Sequence, residues 1–529
     1  MNQAVKVRAG KARVRRADVS VTQERGFVSR DFWWWSSLGL LAMATLLRLV
    51  LLTQKPLHHD EGVNGLFLAT LFRTGKYYYD PGNYHGPSLY YFALIPTAIN
   101  NLLHWGHGLS TFAIRFVTAT FGVGVVWLML CLRRYLGTTA ALAAAAFATV
   151  SPGFVFFSRY FIHEILFVFF SLGAIVAWLW YRSTAKPVYL MLASASAALL
   201  FTTKETWIIT VAVWLIAIPC TIFYLRLRKR SDEAPPWLPG PAAPGSARKL
   251  YLEAAAIFAA ISVLLYCSFF VNPRGILDSV LTFTYWTKTG QHGIYNRDWI
   301  TYFAWLWQEE APILVLGAVG TLVALVRARS YLMVFCAFWS MGIFAAYTLV
   351  PYKTPWLVLS IILPLIIMAG YAIGEAYQPG LRAFTAIITG AAIVFSLYQA
   401  FDVSFVNYDN DSACGSIQCY PYSYAHTNRD FLGLVSEIEA LAAANPAKEN
   451  IHITVVSPEH WPLPWYLREY PNVGYFGHIV PTSEPIVIAH ESQIEEVTQQ
   501  LRGRYRLFST HVLRPGNTLV MFVRNDVHL

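Results

Sequence analysis

Long apolar runs alternate with short charged turns along most of the chain, and the runs have membrane length. A helix needs roughly 20 mostly apolar residues to cross about 30 Å of hydrocarbon. Eleven stretches qualify, near 33–53, 111–132, 139–157, 164–181, 187–202, 206–225, 250–270, 311–326, 331–350, 356–375 and 383–400. The first follows a 30-residue basic arm, is long for the apolar core of a signal peptide and lacks a small-residue cleavage pattern, so it is expected to stay in the membrane. The 226–249 segment (RLRKRSDEAPPWLPGPAAPGSARK) is basic and Pro-rich and reads as a flexible connector. Beyond 426 the period changes. Helix-like stretches (NRDFLGLVSEIEALAAA and SQIEEVTQQL) alternate with β-like runs (IHITVV, PIVIAH, YRLFS and TLVMFV), which predicts a small α/β domain. The expected fold is a polytopic α-helical membrane protein: an arm 1–30, a transmembrane domain 31–400 with a large first connection 54–110 and the linker 226–249, and a C-terminal domain 401–529.

Composition agrees with this pattern. At 56% hydrophobic and only 13% charged, the 529 residues are neither a disordered chain nor a nucleic-acid coat. The net charge of +10 is read as topology. With the N-terminus in the cytoplasm, the inner connections hold 21 lysines and arginines in 75 residues and the outer ones 9 in 114. That asymmetry fits the positive-inside rule with an odd number of spans and puts the tail outside the inner (plasma) membrane. Cys131, Cys220, Cys267 and Cys336 lie in apolar runs and make neither a disulfide framework nor a zinc site. Cys414 and Cys419 fall outside the membrane, where an oxidising compartment favours a small disulfide loop.

The candidate chemistry collects on the outer face. The 54–110 connection opens with His58-His59-Asp60-Glu61 and continues through YYYDPGNYHGPSLYY. Adjacent carboxylates at a membrane surface are expensive to desolvate, and each raises the other's pKa, which suits a general base. A simpler reading has these acids cap the helix that follows. Charge recurs in the outer turns as SRYFIHE (158–164), TTKET (202–206) and PYKTPW (351–356). Arg159 offers a bidentate fork and Lys204 and Lys353 point charges for a phosphate, unless these are snorkelling ends and local ion pairs. His59, Tyr84, His85 and His163 are candidate substrate-binding residues on the same face. No HxxxH or HExxH spacing occurs among His85, His163 and His292, which argues against dedicated zinc, while a divalent cation bridging carboxylate and phosphate is not readable from sequence. No GxxxxGKS/T motif supports ATP-driven transport.

The segments HHDEGVNG, YDPGNYHGPSLYY, SPGFVFFSRYFIHEILFVFFSLGA, TTKET, VPYKTPWL and WPLPWYLREY together resemble the GT-C membrane glycosyltransferases, the class of the protein O-mannosyltransferases and lipid A aminoarabinose transferases. They are most similar to the family labelled flippase activity-associated protein. The resemblance implies sugar transfer, hexosyl or pentosyl, from a polyprenyl-phosphate monosaccharide to an acceptor hydroxyl, among membrane lipids and with no nucleic-acid partner. It makes Asp60 the general base, with Glu61 beside it, Glu164 a second acidic site residue, and Arg159, Lys204 and Lys353 binders of the donor phosphate. One base and direct displacement imply inversion. The 271–310 connection is too short for the β-trefoil module of protein mannosyltransferases, which weakens transfer to protein. The alternative, which the family label suggests, is a lipid-sugar flippase or its accessory. Sidedness is directly testable: single cysteines at residue 240 and in the tail are expected to label from opposite faces of sealed vesicles, and labelling from one face overturns the topology.

Overall fold

The structure, a computed structural model, describes residues 29–82, 85–104, 108–229, 246–289, 296–410, 413–414, 417–418 and 420–527. The arm before residue 29, the middle of the 226–249 linker, Tyr84 and the expected Cys414–Cys419 bond lie outside the described residues. All eleven predicted stretches fall on helices. Among the described residues, eight helices are long and apolar enough to cross a membrane, or nine if the bent pair Thr138–Val150 and Pro152–Ser158 is one span. The other two stretches are Arg30–Leu49, which carries Asp31 and Arg48, and Pro187–Phe201, whose 15 residues reach only about 22 Å. The first outer connection is more ordered than a loop. It holds two helices, His59–Thr74 and Ser88–Leu102, the first ended by Gly75 in the left-handed conformation (φ 66°) that glycine adopts freely.

Val358–Ala376 is the central helix, its span 89% buried where the other long apolar helices are 22–72% buried. Close approach is what lets it be central. A Cβ at Gly317 would stand 2.8 Å from Leu365, one at Gly320 would overlap the Met368 carbonyl, and one at Gly370 would meet Ala140 O at 2.5 Å. Small residues thus draw Thr301–Arg327 and Thr138–Val150 onto its two flanks, where dispersion rather than the hydrophobic effect holds helices together in lipid.

Two of these helices are broken at the same level. Pro152 has no N–H and disfavours helical backbone at Ser151, and the chain bends there by 54°. Opposite it, Thr301–Arg327 kinks at Glu310 (φ −128°, ψ 25°), two residues before Pro312. Glu310 accepts hydrogen bonds from the Gly153 N–H (2.7 Å) and the Ser151 hydroxyl (2.9 Å), so one break satisfies the other. Irregular backbone survives at membrane depth only where protein supplies such partners.

The tail is the predicted small α/β domain. Its sheet comprises β1 (Ile453–Val455), β2 (Val473–Tyr475), β3 (Ile486–His490), β4 (Tyr505–Arg514) and β5 (Asn517–Arg524) in the order β2-β1-β3-β5-β4, with β1 parallel to both neighbours and the rest antiparallel. Period-2 alternation along β3 sends Ile486 and Ile488 to helix Phe431–Ala444 and Val487 and Ala489 to helix Ile494–Leu501. The short β2 carries no alternating signal and was not foreseen from sequence. The motif WPLPWYLREY docks this domain on helix His59–Thr74: the Trp465 ring packs where a Cβ at Gly65 would sit 2.5 Å away, and Pro462 packs against Gly62. The Tyr466 hydroxyl accepts the Leu57 N–H (2.9 Å), and Arg468 donates to Leu109 O (2.7 Å).

His511 on β4 joins the sheet to helix Phe431–Ala444, with Nδ1 3.1 Å from Asp430 and Nε2 3.1 Å from Glu437. Burial works against its charge, but the two carboxylates outweigh it and raise the pKa above the ordinary histidine value. A raised folded pKa means that this stabilisation is fully present below about pH 6.5 and lost as pH rises through the folded pKa. Thermal melts between pH 5.5 and 9 are therefore expected to show a Tm decline across that window that His511→Gln abolishes, and an unchanged profile in the variant overturns the assignment.

Candidate active site

The end of the bundle that bears the first long connection is organised by an ion pair with no exposure on either side chain. Arg115 Nε and Nη2 each lie 2.7 Å from the Glu61 carboxylate, while Nη1 and Nη2 also reach the carbonyls of Leu52, Lys55 and Pro56 at 2.9–3.0 Å. Glu61 further accepts the backbone N–H groups of His58 (3.0 Å) and Phe161 (2.8 Å). His58 returns the favour at the start of helix His59–Thr74, its Nδ1 accepting the Asp60 N–H at 3.1 Å, which completes a capping box. Burial would raise the Glu61 pKa, but the Arg115 charge prevails and holds it below the ordinary carboxylate value. Glu61 therefore does not line the cavity beside it. It fixes the segment that carries Asp60.

Two expected phosphate binders are likewise committed to the fold. The Arg159 guanidinium donates to the carbonyls of Val50 (2.6 Å), Leu51 (2.7 Å), Leu47 (3.2 Å) and Arg48 (3.3 Å), the orphan acceptors at the end of helix Arg30–Leu49. Lys353 does the same for helix Tyr331–Leu349, with Nζ 2.5 Å from Val350 O and 2.9 Å from Thr348 O. Cations suit helix C-termini by both hydrogen bonding and dipole. Neither residue lines the cavity, and of the three cations expected to bind a phosphate Lys204 is the one that does.

The cavity itself, about 540 Å³, is of ligand size. It opens where the first outer connection is zipped to the 202–206 turn. His85 bridges Lys204 through the backbone, the Gly86 N–H donates to Thr203 O (3.0 Å) and the Ser88 N–H to Thr202 O (3.1 Å). Only glycine fits at 86, because a Cβ would overlap the Thr202 carbonyl. This zipper brings six of the sequence candidates to one cavity: His59, Asp60, His85, His163, Glu164 and Lys204. Lys204 Nζ pairs with Glu164, and His85 Nδ1 lies 3.1 Å from Glu205. Burial opposes the Lys204 charge, yet Glu164 and Glu205 outweigh it and raise its pKa.

Sequence reasoning passed over His58, Glu205, Trp356 and Arg514, which also line the cavity. The first three stand inside segments already singled out as HHDE, TTKET and PYKTPW. Arg514 arrives from β4 of the tail, held by Glu459 at 2.5 Å, and nothing local in the sequence marks it. Among the described residues no three His, Cys, Asp or Glu side chains converge as metal ligands, and two of the three cavity acids are already paired, so the site shows no ready coordination set for a divalent cation.

Lys204 and Glu164 are 5% and 7% exposed, so removing one leaves the other buried and charged. Lys204→Gln is expected to lose about 3–5 kcal/mol of stability, and adding Glu164→Gln to restore most of it. Thermal unfolding of the single and double variants in detergent checks this; a single variant that melts with the wild type overturns the pairing.

Comparison with known proteins agrees with this architecture. The family described as dolichyl-phosphate-mannose-protein mannosyltransferase matches residues 85–232, which include the zipper, His163, Glu164 and Lys204. No curated protein sequence matches. Among solved structures, ArnT from Cupriavidus metallidurans in the apo state superimposes with a TM-score of 0.63 at 14% identity, over 93% of this chain and 98% of its own. The same protein bound to undecaprenyl phosphate gives 0.62 at 13%, over 92% and 98%. The oligosaccharyltransferase AglB from Archaeoglobus fulgidus, in complex with an inhibitory peptide and a dolichol-phosphate, gives 0.56 at 11%, over 88% of this chain and 70% of that one. From its membrane-length helices to its C-terminal sheet domain, the chain has the GT-C fold of the membrane glycosyltransferases.

Proposed function

We propose that the protein is a membrane glycosyltransferase that moves a hexosyl or pentosyl unit from a polyprenyl-phosphate monosaccharide to an acceptor hydroxyl at the outer face of the inner membrane. The observation that carries this reading is the condition of Asp60. Of the three acids lining the cavity, Glu164 is tied to Lys204 and Glu205 to His85, whereas the Asp60 side chain is 41% exposed and the His58 ring, 3.9 Å away, is held neutral by burial. An acid held by a rigid backbone with its carboxylate uncommitted is what a general base requires. A lipid carrier has no use for one. The undecaprenyl phosphate of the ArnT structure and the dolichol-phosphate of the AglB structure, the carriers such a donor would leave behind, support the choice of donor class.

In this reading the acceptor hydroxyl attacks the anomeric carbon as Asp60 takes its proton, and the bond from that carbon to the phosphate oxygen breaks. Polyprenyl phosphate leaves with the electron pair, and Lys204, the cation at the zipper, offsets the added charge. A single displacement with one base inverts the anomeric configuration. General-base catalysis contributes about 10²–10⁴-fold, so Asp60→Asn is expected to lose at least a hundredfold in transfer from a polyprenyl-phosphate sugar in reconstituted vesicles while melting with the wild type. Full transfer by that variant would overturn the assignment of Asp60.

A further inference from the structure

The hydrogen-bonding partners of two buried histidines fix which ring nitrogen carries the proton, and the remaining nitrogen in each is left without a partner. A neutral imidazole has one donor and one acceptor. His163 Nε2 lies 3.0 Å from the Gly86 carbonyl, which can only accept, so Nε2 holds the hydrogen and Nδ1 is a bare acceptor. His58 is the reverse. Its Nδ1 accepts the Asp60 N–H, so the hydrogen sits on Nε2. His163 Nδ1 and His58 Nε2 are both buried with no hydrogen-bond partner, and both residues line the cavity. Burial keeps the rings neutral: it pushes the His58 pKa down to about 4 and that of His163 well below the ordinary value.

Neither ring is free to turn. His163 is flanked by His85 (centroids 5.1 Å) and Tyr90 (5.6 Å), and His58 stacks on His426 (5.8 Å) and meets the edge of Trp356 (5.9 Å). Gly86, the partner of His163, is itself locked to the 202–206 turn. A buried donor or acceptor without a partner costs about 1–3 kcal/mol, and a guest rich in hydroxyls, each both donor and acceptor, can satisfy the two at once.

We infer that His163 and His58 read the sugar hydroxyls with opposite polarity, His163 as a fixed acceptor through Nδ1 and His58 as a fixed donor through Nε2. This rests on a lipid-linked sugar occupying the cavity, and it assigns the sugar's recognition to two residues that take no part in the transfer step. The assignment is asymmetric, which dictates the substitutions. His58→Asn keeps an acceptor near the Nδ1 position for the Asp60 N–H and removes the donor from the Nε2 position, whereas His163→Gln keeps an amide donor near the Nε2 position for Gly86 O and removes the acceptor from the Nδ1 position.

The test measures binding of the full chain in detergent to bare undecaprenyl phosphate, to its mannosyl, glucosyl, galactosyl and arabinosyl forms, and to each monodeoxy form of the tightest. Removing one particular hydroxyl is expected to weaken wild-type binding about tenfold. His163→Gln is expected to weaken the parent sugar by a similar factor and to be indifferent to that same hydroxyl, and His58→Asn to show the same coupling with a different one. A purely structural role would weaken every ligand alike. Additive losses in both variants, or sugar lipids that bind no tighter than bare undecaprenyl phosphate, overturn the inference. Coupled binding without turnover leaves it standing and removes the transferase reading.

Discussion

One end of the helix bundle is built around one ion pair. Arg115 and Glu61 are both taken wholly out of water, and a buried charge is tolerable only when every donor and acceptor it owns is used. Here the accounts close: the guanidinium spreads its N–H groups over a carboxylate and three carbonyls, and the carboxylate answers two backbone N–H groups besides. The groups recruited come from the 52–56 segment after the first helix, the start of His59–Thr74, the 158–164 turn and Thr111–Cys131. Four pieces of chain meet at one charge pair. Because Glu61 cannot move, neither can the residue before it, and the catalytic geometry proposed for Asp60 is a by-product of this packing.

The same constraint explains the cations that read as ligand binders. Helices ending at the outer rim leave carbonyls that no next turn can satisfy, and a protein wall on one side with lipid on the other offers little water. Arg159 and Lys353 answer those carbonyls, and Arg48 does so one turn deeper, donating to Ala148 O and Thr149 O. What distinguishes Lys204 is its partner. It meets a carboxylate rather than carbonyls, in a turn joined edge to edge with the segment bearing His85.

Much of the architecture was legible because its signals are local. Apolar runs of membrane length gave the helices, and the short β-like runs IHITVV, PIVIAH and TLVMFV gave the three inner strands of the tail. The acids of the HHDE segment were open to two readings, base or cap; the structure shows Glu61 as the cap, and the exposed Asp60 is the one proposed as base. What periodicity could not convey is which charge meets which. Nothing near Arg159 tells that four carbonyls from residues 47–51 surround it, and nothing near Arg514 tells that β4 swings it over the cavity. Those facts belong to the tertiary fold, as does the polarity of His58 and His163.

The facing breaks at Ser151–Pro152 and Glu310 bear on how the chain enters the bilayer. A translocon that releases helices in turn would have to deliver Thr301–Arg327 with Glu309 and Glu310 aboard, and an ionised side chain at mid-helix costs about 2.5–3.5 kcal/mol to insert. The groups that relieve Glu310 belong to the bent pair 138–158, which is synthesised some 150 residues earlier and is already in place. Chain order thus supplies the host before the guest. Circular permutation that placed Thr301–Arg327 ahead of the bent pair would reverse that order, so the connectivity of the fold is itself part of what makes a membrane helix with a buried Glu310 tolerable.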